Sequence, residues 1–364
     1  MKRSIILLAI LFYTQMTLAQ NQQKPLRVGV AGLTHTHVHW LLGRPDRGDV
    51  EIVGIAEPNE DLAERYVKQH GLDPKLVYSS LDEMLTQSKP EAVTAFGTIF
   101  EHLEVVRKCA PLGVHVMVEK PLAVSLAHAQ EMEKLAKQHD IQLLTNYETT
   151  WYPTNHKIFK MVRQGELGSV LKIVVHDGHR GPKEIGVNDE FLVWLTDPVQ
   201  NGGGAITDFG CYGANLSTWI MGDQLPTSVS AITQQIKPDI YPNVDDEATI
   251  IITYPKSQTI IQASWNWPIS RKDMELYGKT GMAIAKNRND LVVQLNENAE
   301  IKNDKLEEIK APYDDPFAYL AGVIRGTIDP PVNDLSSLEN NMIVMQILDA
   351  AVKSAKKRKV IHLN

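Results

Sequence analysis

A chain of 364 residues with ordinary globular composition is long enough for two domains. Its net charge of -7, with no basic block or aromatic–basic patch, argues against nucleic acid as a partner. Cys109 and Cys211 fall in different predicted domains, so buried free thiols are expected rather than a disulfide.

Residues 1–19 read as a secretory signal. Lys2 and Arg3 give a positive start, residues 5–12 an apolar core, and Thr17-Leu18-Ala19 a small-residue cleavage site before Gln20. The apolar core is too short for a comfortable membrane span. There is no Cys near the cut and no Arg-Arg pair ahead of the core. The expectation is a protein exported unfolded, periplasmic, with no membrane or lipid anchor after cleavage.

Residues 24–148 alternate strand-like and helix-like patterns. Strands are predicted over 27–31, 51–56, 92–96, 115–118 and 142–145, and helices over 60–69, 101–112 and 125–139. This alternation predicts an α/β domain with a parallel sheet, of the Rossmann dinucleotide-binding type. Its first turn, Gly32-Leu33-Thr34-His35-Thr36-His37, keeps one glycine of the G-x-G-x-x-G fingerprint; Thr34 and His37 replace the other two. The second strand ends in Glu57, placed to accept the ribose hydroxyls of NAD and to repel the 2′-phosphate of NADP. An acid at a helix start before Pro58 is the alternative.

His35, His37 and His39 could suggest metal, but no nearby acid or Cys completes a recognisable site, so no metal is expected. A histidine lining the crevice is the expectation. The strand over 115–118 ends in Glu119-Lys120-Pro121. Ligands gather at the carboxyl ends of strands in such sheets, so Lys120 is a candidate site residue.

Residues 149–364 change pattern. A helix is predicted over 155–164, strands over 170–176, 228–234, 248–254 and 259–265, and a last long helix over 337–356. With no regular helices between the later strands, a second, α+β domain with a large, mostly antiparallel open sheet is expected. Gly202-Gly203-Gly204 lets a backbone come close, and a helix starting just after it would put Asp208 and Tyr212 on one face as i and i+4 neighbours. His176, His179 and Arg180 follow a predicted strand end and are candidates for the substrate site; a polar loop is the alternative. Trp151, Trp194 and Trp265 could stack on a ligand ring, although core burial is the commoner fate.

Glu119-Lys120-Pro121 together with Gly203-Gly204-x-x-x-Asp208-x-Gly210-x-Tyr212 resembles the Gfo/Idh/MocA oxidoreductases. The similarity spans nearly everything after residue 19, including Phe317…Gly322 and residues 350–354. It implies NAD(P)-dependent hydride transfer at a hydroxyl of a sugar, glycoside or cyclitol. It makes Lys120, Asp208 and Tyr212 the catalytic set, Tyr212 standing where many members have His.

Gly32, Thr34, His35, His37, Glu57, Thr98, His102, Glu119 and Lys120 would line the cofactor, with NAD preferred over NADP. Lys120, His176, His179, Arg180, Asp208 and Tyr212 would line the substrate. Tyr212 would take the hydroxyl proton, its pKa lowered by the Lys120 ammonium. Thr98 replaces a usual Pro, and Glu148 stands where an Arg is common. By the same analogy a homodimer or homotetramer is expected, built on the open sheet. Two alternatives stay open: an NAD-dependent glycosidase running a redox-neutral oxidation–elimination–reduction cycle, and a non-catalytic sugar-binding protein.

Overall fold

The computed structural model describes residues 24–363, so the predicted signal over 1–19 lies outside the described residues. The chain opens with β1 (Leu26–Ala31), α1 (Val38–Leu42), β2 (Val50–Ala56), α2 (Glu60–His70), β3 (Val77–Tyr78) and α3 (Leu81–Ser88). It continues with β4 (Ala92–Ala95), α4 (His102–Cys109), β5 (His115–Glu119), α5 (Leu126–His139) and β6 (Leu143–Asn146). Local chemistry sets the ends. Asn59 caps α2 by accepting from the Leu62 N–H, Ser125 does the same for α5 at His128, and Gly71 ends α2 in the left-handed region.

The six strands form one parallel sheet in the order β3-β2-β1-β4-β5-β6. The order reverses between β1 and β4, and that is where such sheets open a crevice at their carboxyl ends. All five predicted strands are present; the two-residue β3 extends the edge.

The second half begins with α6 (Pro153–Arg163) and β7 (Val170–Gly178). Five short or medium helices follow: α7 (Pro182–Ile185), α8 (Asp189–Leu195), α9 (Pro198–Asn201), α10 (Ala205–Asp208) and α11 (Gly210–Met221). Then come β8 (Ser228–Gln234), β9 (Glu247–Thr253), β10 (Gln258–Ser264), β11 (Arg271–Gly278), β12 (Met282–Ala285), β13 (Asp290–Gln294) and β14 (Lys302–Lys305). The chain ends with α12 (Pro316–Ile324), α13 (Leu338–Lys357) and β15 (Ile361–His362).

The strands make a nine-stranded sheet in the order β14-β13-β12-β11-β7-β10-β9-β8-β15. Every neighbouring pair is antiparallel except β7 and β10. Strands β11 to β14 carry no pattern that the sequence reading recognised.

Alternation decides which face of this sheet is buried. Ile173, Val175, Ile250, Ile252, Ile261 and Leu276 are fully or almost fully buried. They share the inner face, against α11 and α13, so their neighbours in each strand lie on the outer face. The apolar α11 is buried along its whole length. α12 returns to the first half, where Phe317, Tyr319 and Leu320 join Val28, Val30 and Ile55 in one core.

Candidate active site

β5 delivers two charged residues into the interior: Glu119 is 1% exposed and Lys120 5%. The Lys120 ammonium bonds to the Asp208 carboxylate Oδ1, and also donates to the Asp208 backbone oxygen at 3.2 Å. The other carboxylate oxygen, Oδ2, accepts from Trp265 Nε1 at 3.1 Å. Burial works against the charge on Lys120. The Asp208 carboxylate outweighs that cost and holds the lysine pKa above its ordinary value. For Asp208, burial pushes upward, but the Lys120 charge and bond win and its pKa is lowered.

The expected single helix through Asp208 and Tyr212 is in fact two. α10 stops at Asp208, Phe209 sits between at φ -106° and ψ -28°, and α11 starts at Gly210. Both side chains still face Lys120, whose Nζ lies 5.3 Å from the Tyr212 ring centroid. The glycine run serves close approach: a Cβ on Gly204 would sit 1.7 Å from the Asp245 backbone oxygen. The Asp245 carboxylate then accepts from the Gly204 and Ile206 N–H groups at 2.9 and 2.7 Å, fixing the start of α10.

Tyr212 is 1% exposed, and burial, followed by the Glu148 and Asp177 charges, raises its pKa well above 10.0. The expected lowering by the lysine is therefore reversed. Desolvation of a phenolate outweighs the ammonium, which faces the ring rather than the hydroxyl alone.

Two further charged residues complete the site, and neither was singled out from sequence. Lys272, on β11, places Nζ 4.7 Å from the Tyr212 centroid and bonds to Glu148 Oε2. Tyr152 donates to the other Glu148 oxygen at 2.5 Å. Burial would raise the Glu148 pKa, but Lys272 holds it down to about 2. Asp177, on β7, is 1% exposed and neither of its oxygens has a hydrogen-bond partner among the described residues. Burial raises its pKa well above the ordinary value, against the pull of Lys272. The missing cation at Glu148 is thus restored from β11. The period-two alternation of β7 is the signal that could have found Asp177, since it turns Asp177 inward where His176 turns outward.

That alternation corrects the reading of His176. The strand runs on to Gly178, so His176 is inside it, on the outer face, with Nδ1 3.0 Å from Asp273 Oδ2. Arg180 is exposed and is not among the residues lining the cavity at this end of the sheet. His179 does line that cavity of about 730 Å³, together with Glu148, Tyr152, Gly178, Phe209 and Lys272. Burial lowers the His179 pKa to about 4, so its ring is neutral near pH 7. The three tryptophans are core residues. Trp265 bonds Asp208, Trp151 donates to Asn146 Oδ1 at 3.1 Å, and Trp194 packs 4.9 Å from Phe191.

At the carboxyl end of β1, Gly32 has φ +78°, and a Cβ there would lie 2.7 Å from the Gly97 nitrogen. Only glycine fits that turn. Glu57 accepts from the Leu33 and Asn59 N–H groups, both at 2.9 Å, and so ties the turn to the end of β2. Burial raises its pKa. Thr34 Oγ1, Thr36 Oγ1 and His35 Nε2 are buried without a hydrogen-bond partner among the described residues. Thr98 caps the 3-10 turn over Ile99–Glu101 through a capping box with Glu101, which accounts for a hydroxyl where Pro is usual. His102, fully buried, donates through Nδ1 to the Leu122 carbonyl at 3.1 Å.

His37 Nδ1 lies 2.9 Å from Glu119 Oε2, and His35 Nε2 4.0 Å from the same oxygen. The expectation that no acid stands near these histidines is therefore wrong: Glu119 comes from β5, remote in sequence. His39 is apart, bonded to His70 at 2.8 Å. Burial would raise the Glu119 pKa, but the His37 charge and hydrogen bond, aided by Asn146, hold it down to about 2. Cys109 and Cys211 are both free and buried, as expected.

Residues 26–147 match the model of the oxidoreductase family with an NAD-binding Rossmann fold, and residues 156–284 match the GFO/IDH/MocA C-terminal domain. Trans-1,2-dihydrobenzene-1,2-diol dehydrogenase of Bos taurus is 28% identical over 264 residues, 71% of this chain and 73% of that protein. The Homo sapiens enzyme of that name is 27% identical over 233 residues, 63% of this chain and 65% of its own length. An inositol dehydrogenase homolog from Azotobacter vinelandii, solved with NAD+, superposes with TM-score 0.80 at 15% identity, covering 93% of this chain and 98% of that one. The aldose-aldose oxidoreductase of Caulobacter crescentus superposes with TM-score 0.77 at 18% identity, covering 94% and 100%. With both domains matched in order and the Lys120–Asp208 pair joining them, the chain belongs to the Gfo/Idh/MocA oxidoreductases.

Proposed function

We propose that this oxidoreductase interconverts a secondary hydroxyl and a ketone on a sugar, glycoside or cyclitol, with NAD as redox partner. The carrying observation is the buried Lys120–Asp208 pair, beside Tyr212 and at the carboxyl end of β5. The names of the relatives, which act on a dihydrodiol, an inositol or an aldose, support a polyhydroxylated substrate.

The crevice fits NAD. Gly32 keeps the turn low, Glu57 supplies a carboxylate for the ribose, and the Thr34, Thr36 and His35 atoms that lack a partner among the described residues offer hydrogen bonds to a polar ligand. Bound NAD supplies the hydride acceptor or donor. Lys120, kept charged by Asp208, stabilises negative charge on the substrate oxygen. Tyr212, kept a neutral phenol by burial, donates its proton to that oxygen in the ketone-to-alcohol direction. In the reverse direction the phenol must be ionised, so alcohol oxidation is favoured by higher pH.

Purified protein incubated with NAD or NADH and a panel of polyols, keto sugars and glycosides tests this. NADH formation or consumption is followed by absorbance and aglycone release by chromatography. Absence of NAD(H) and NADP(H) binding at millimolar concentration would sink the reading. Aglycone release with no net NADH would assign the redox-neutral glycosidase cycle in its place.

Two parts rest on other grounds. Export to the periplasm is proposed from the composition of residues 1–19. A homodimer or homotetramer through the outer face of the nine-stranded sheet is proposed from the family resemblance.

A further inference from the structure

Another cavity, of about 330 Å³, opens beside the active-site cavity. That volume lies within the range of small-molecule pockets, roughly 300–1,000 Å³. Trp40, Trp151 and Phe317 wall it with aromatic rings, and Glu148 lines both cavities. Glu148 is pinned at that boundary, since Lys272 bonds one of its oxygens and Tyr152 the other. Asn287 lines the first cavity, and the next residue, Arg288, lines the second. Gly32, Glu57 and Thr98, which frame the cofactor crevice, line neither.

Trp151 and Phe317 are almost fully buried and so fixed in place. Trp40 stays 38% exposed, although its indole is stacked on His37 with centroids 3.7 Å apart and 16° between the planes. A lone exposed apolar side chain needs no explanation. Three aromatic rings around one recess that adjoins a polar site do, and such walls favour a flat apolar group. The charged residues of the recess ask for no further counter-ion. Arg44 pairs with Asp49 and Asp315, Asp314 with Arg47, Arg288 with Glu308, and Glu148 with Lys272.

We propose that this recess binds an aromatic aglycone, so that the substrate is an aryl glycoside with its sugar in the cavity at Lys272 and its ring against Trp40. This rests on the redox reading above and names the other half of the substrate. Glu148, common to the two cavities, stands where sugar and aglycone join.

The probes are the phenyl and methyl glycosides of glucose, galactose and mannose, in both anomers, each with NAD. NADH formation and aglycone release are both followed. Wild-type protein should favour the phenyl over the methyl glycoside of the sugar it accepts by about tenfold to 10²-fold in kcat/KM, the range for burying one aromatic ring. Trp40→Ala should cut that ratio by about tenfold, mainly by raising KM for the phenyl glycoside, and Trp40→Phe should restore most of it. Thermal melts check that both variants fold. A wild-type ratio near one, an equal loss on phenyl and methyl glycosides in Trp40→Ala, or a ratio unmoved in that variant would overturn the inference. Wild-type protein that binds NAD yet turns over none of these glycosides would overturn it too. Protein that binds neither NAD(H) nor NADP(H) fails earlier and takes the redox reading with it.

Discussion

Lys120 and Asp208, 88 residues apart in sequence, meet as a buried ion pair between the end of the parallel sheet and the short α10. Each charge is the counter-ion of the other, and both side chains are buried. The pair therefore joins the electrostatics of the candidate site to the packing of one domain on the other.

Replacing Lys120 by Met should cost both properties. Loss of a charge-stabilising donor is expected to lower kcat about 10²–10³-fold. The stranded Asp208 should lower stability by about 3–5 kcal/mol, as when one partner of a buried pair is removed. The sign with pH follows from the shifts. The Lys120 folded pKa is raised above 10.5, so its contribution is complete below that value and fades as pH rises through the folded pKa. The Asp208 folded pKa is depressed below 3.8, so its contribution is complete above 3.8 and fades on acidification. Urea unfolding of both proteins should differ most between these limits; equal stability and equal turnover at pH 7 would remove the assignment.

Tyr212→Phe should reduce turnover by about 10²-fold or more in both directions. In wild-type protein, oxidation of an alcohol should climb with pH and show no plateau below pH 10, because burial holds the phenol above 10.0. A plateau near pH 7 would mean that the phenol ionises early, against the burial seen here. Steady-state rates from pH 6 to 10 in mixed buffers decide it.

The Lys120–Asp208 pair was legible because its residues sit in compact motifs at element ends: Glu119-Lys120-Pro121 closing a buried strand, and the glycine run before Asp208. Lys272 and Asp177 were not. Each lies in a strand whose inner face is defined only once β7, β10 and β11 are paired, and β11 carries Arg271, Lys272 and Asp273 in a row, a pattern that reads as solvated loop. His176 was misplaced for the same reason, since extending a strand past it reverses which side chain meets the site. Glu119 escaped the histidine reading because its proximity to His37 is set by the β1-β4-β5 strand order, not by spacing in sequence.

Glu57→Ala should weaken NAD binding by about tenfold, equivalent to about 1.4 kcal/mol. Two causes add: the lost ribose acceptor and the slackened Leu33 and Asn59 N–H groups. The same change should improve NADP relative to NAD, because the repelling carboxylate is gone. Isothermal titration with both cofactors measures it; an unchanged NAD affinity would place the ribose elsewhere.

Acid stability should depend on His102. Burial lowers its folded pKa from 6.5 to about 4, against the opposing Leu122 hydrogen bond and the Glu119 charge. Between these values the unfolded chain binds a proton that the folded one does not, so stability falls as pH falls. The shift is worth about 3 kcal/mol by pH 4. His102→Asn keeps an N–H for the Leu122 carbonyl and cannot titrate. Its unfolding free energy should therefore fall less steeply from pH 6.5 to 4 than that of wild type. Parallel slopes in urea titrations across that range would show that His102 is protonated in the folded state, and with it that the wall beneath Glu119 is wetter than its full burial indicates.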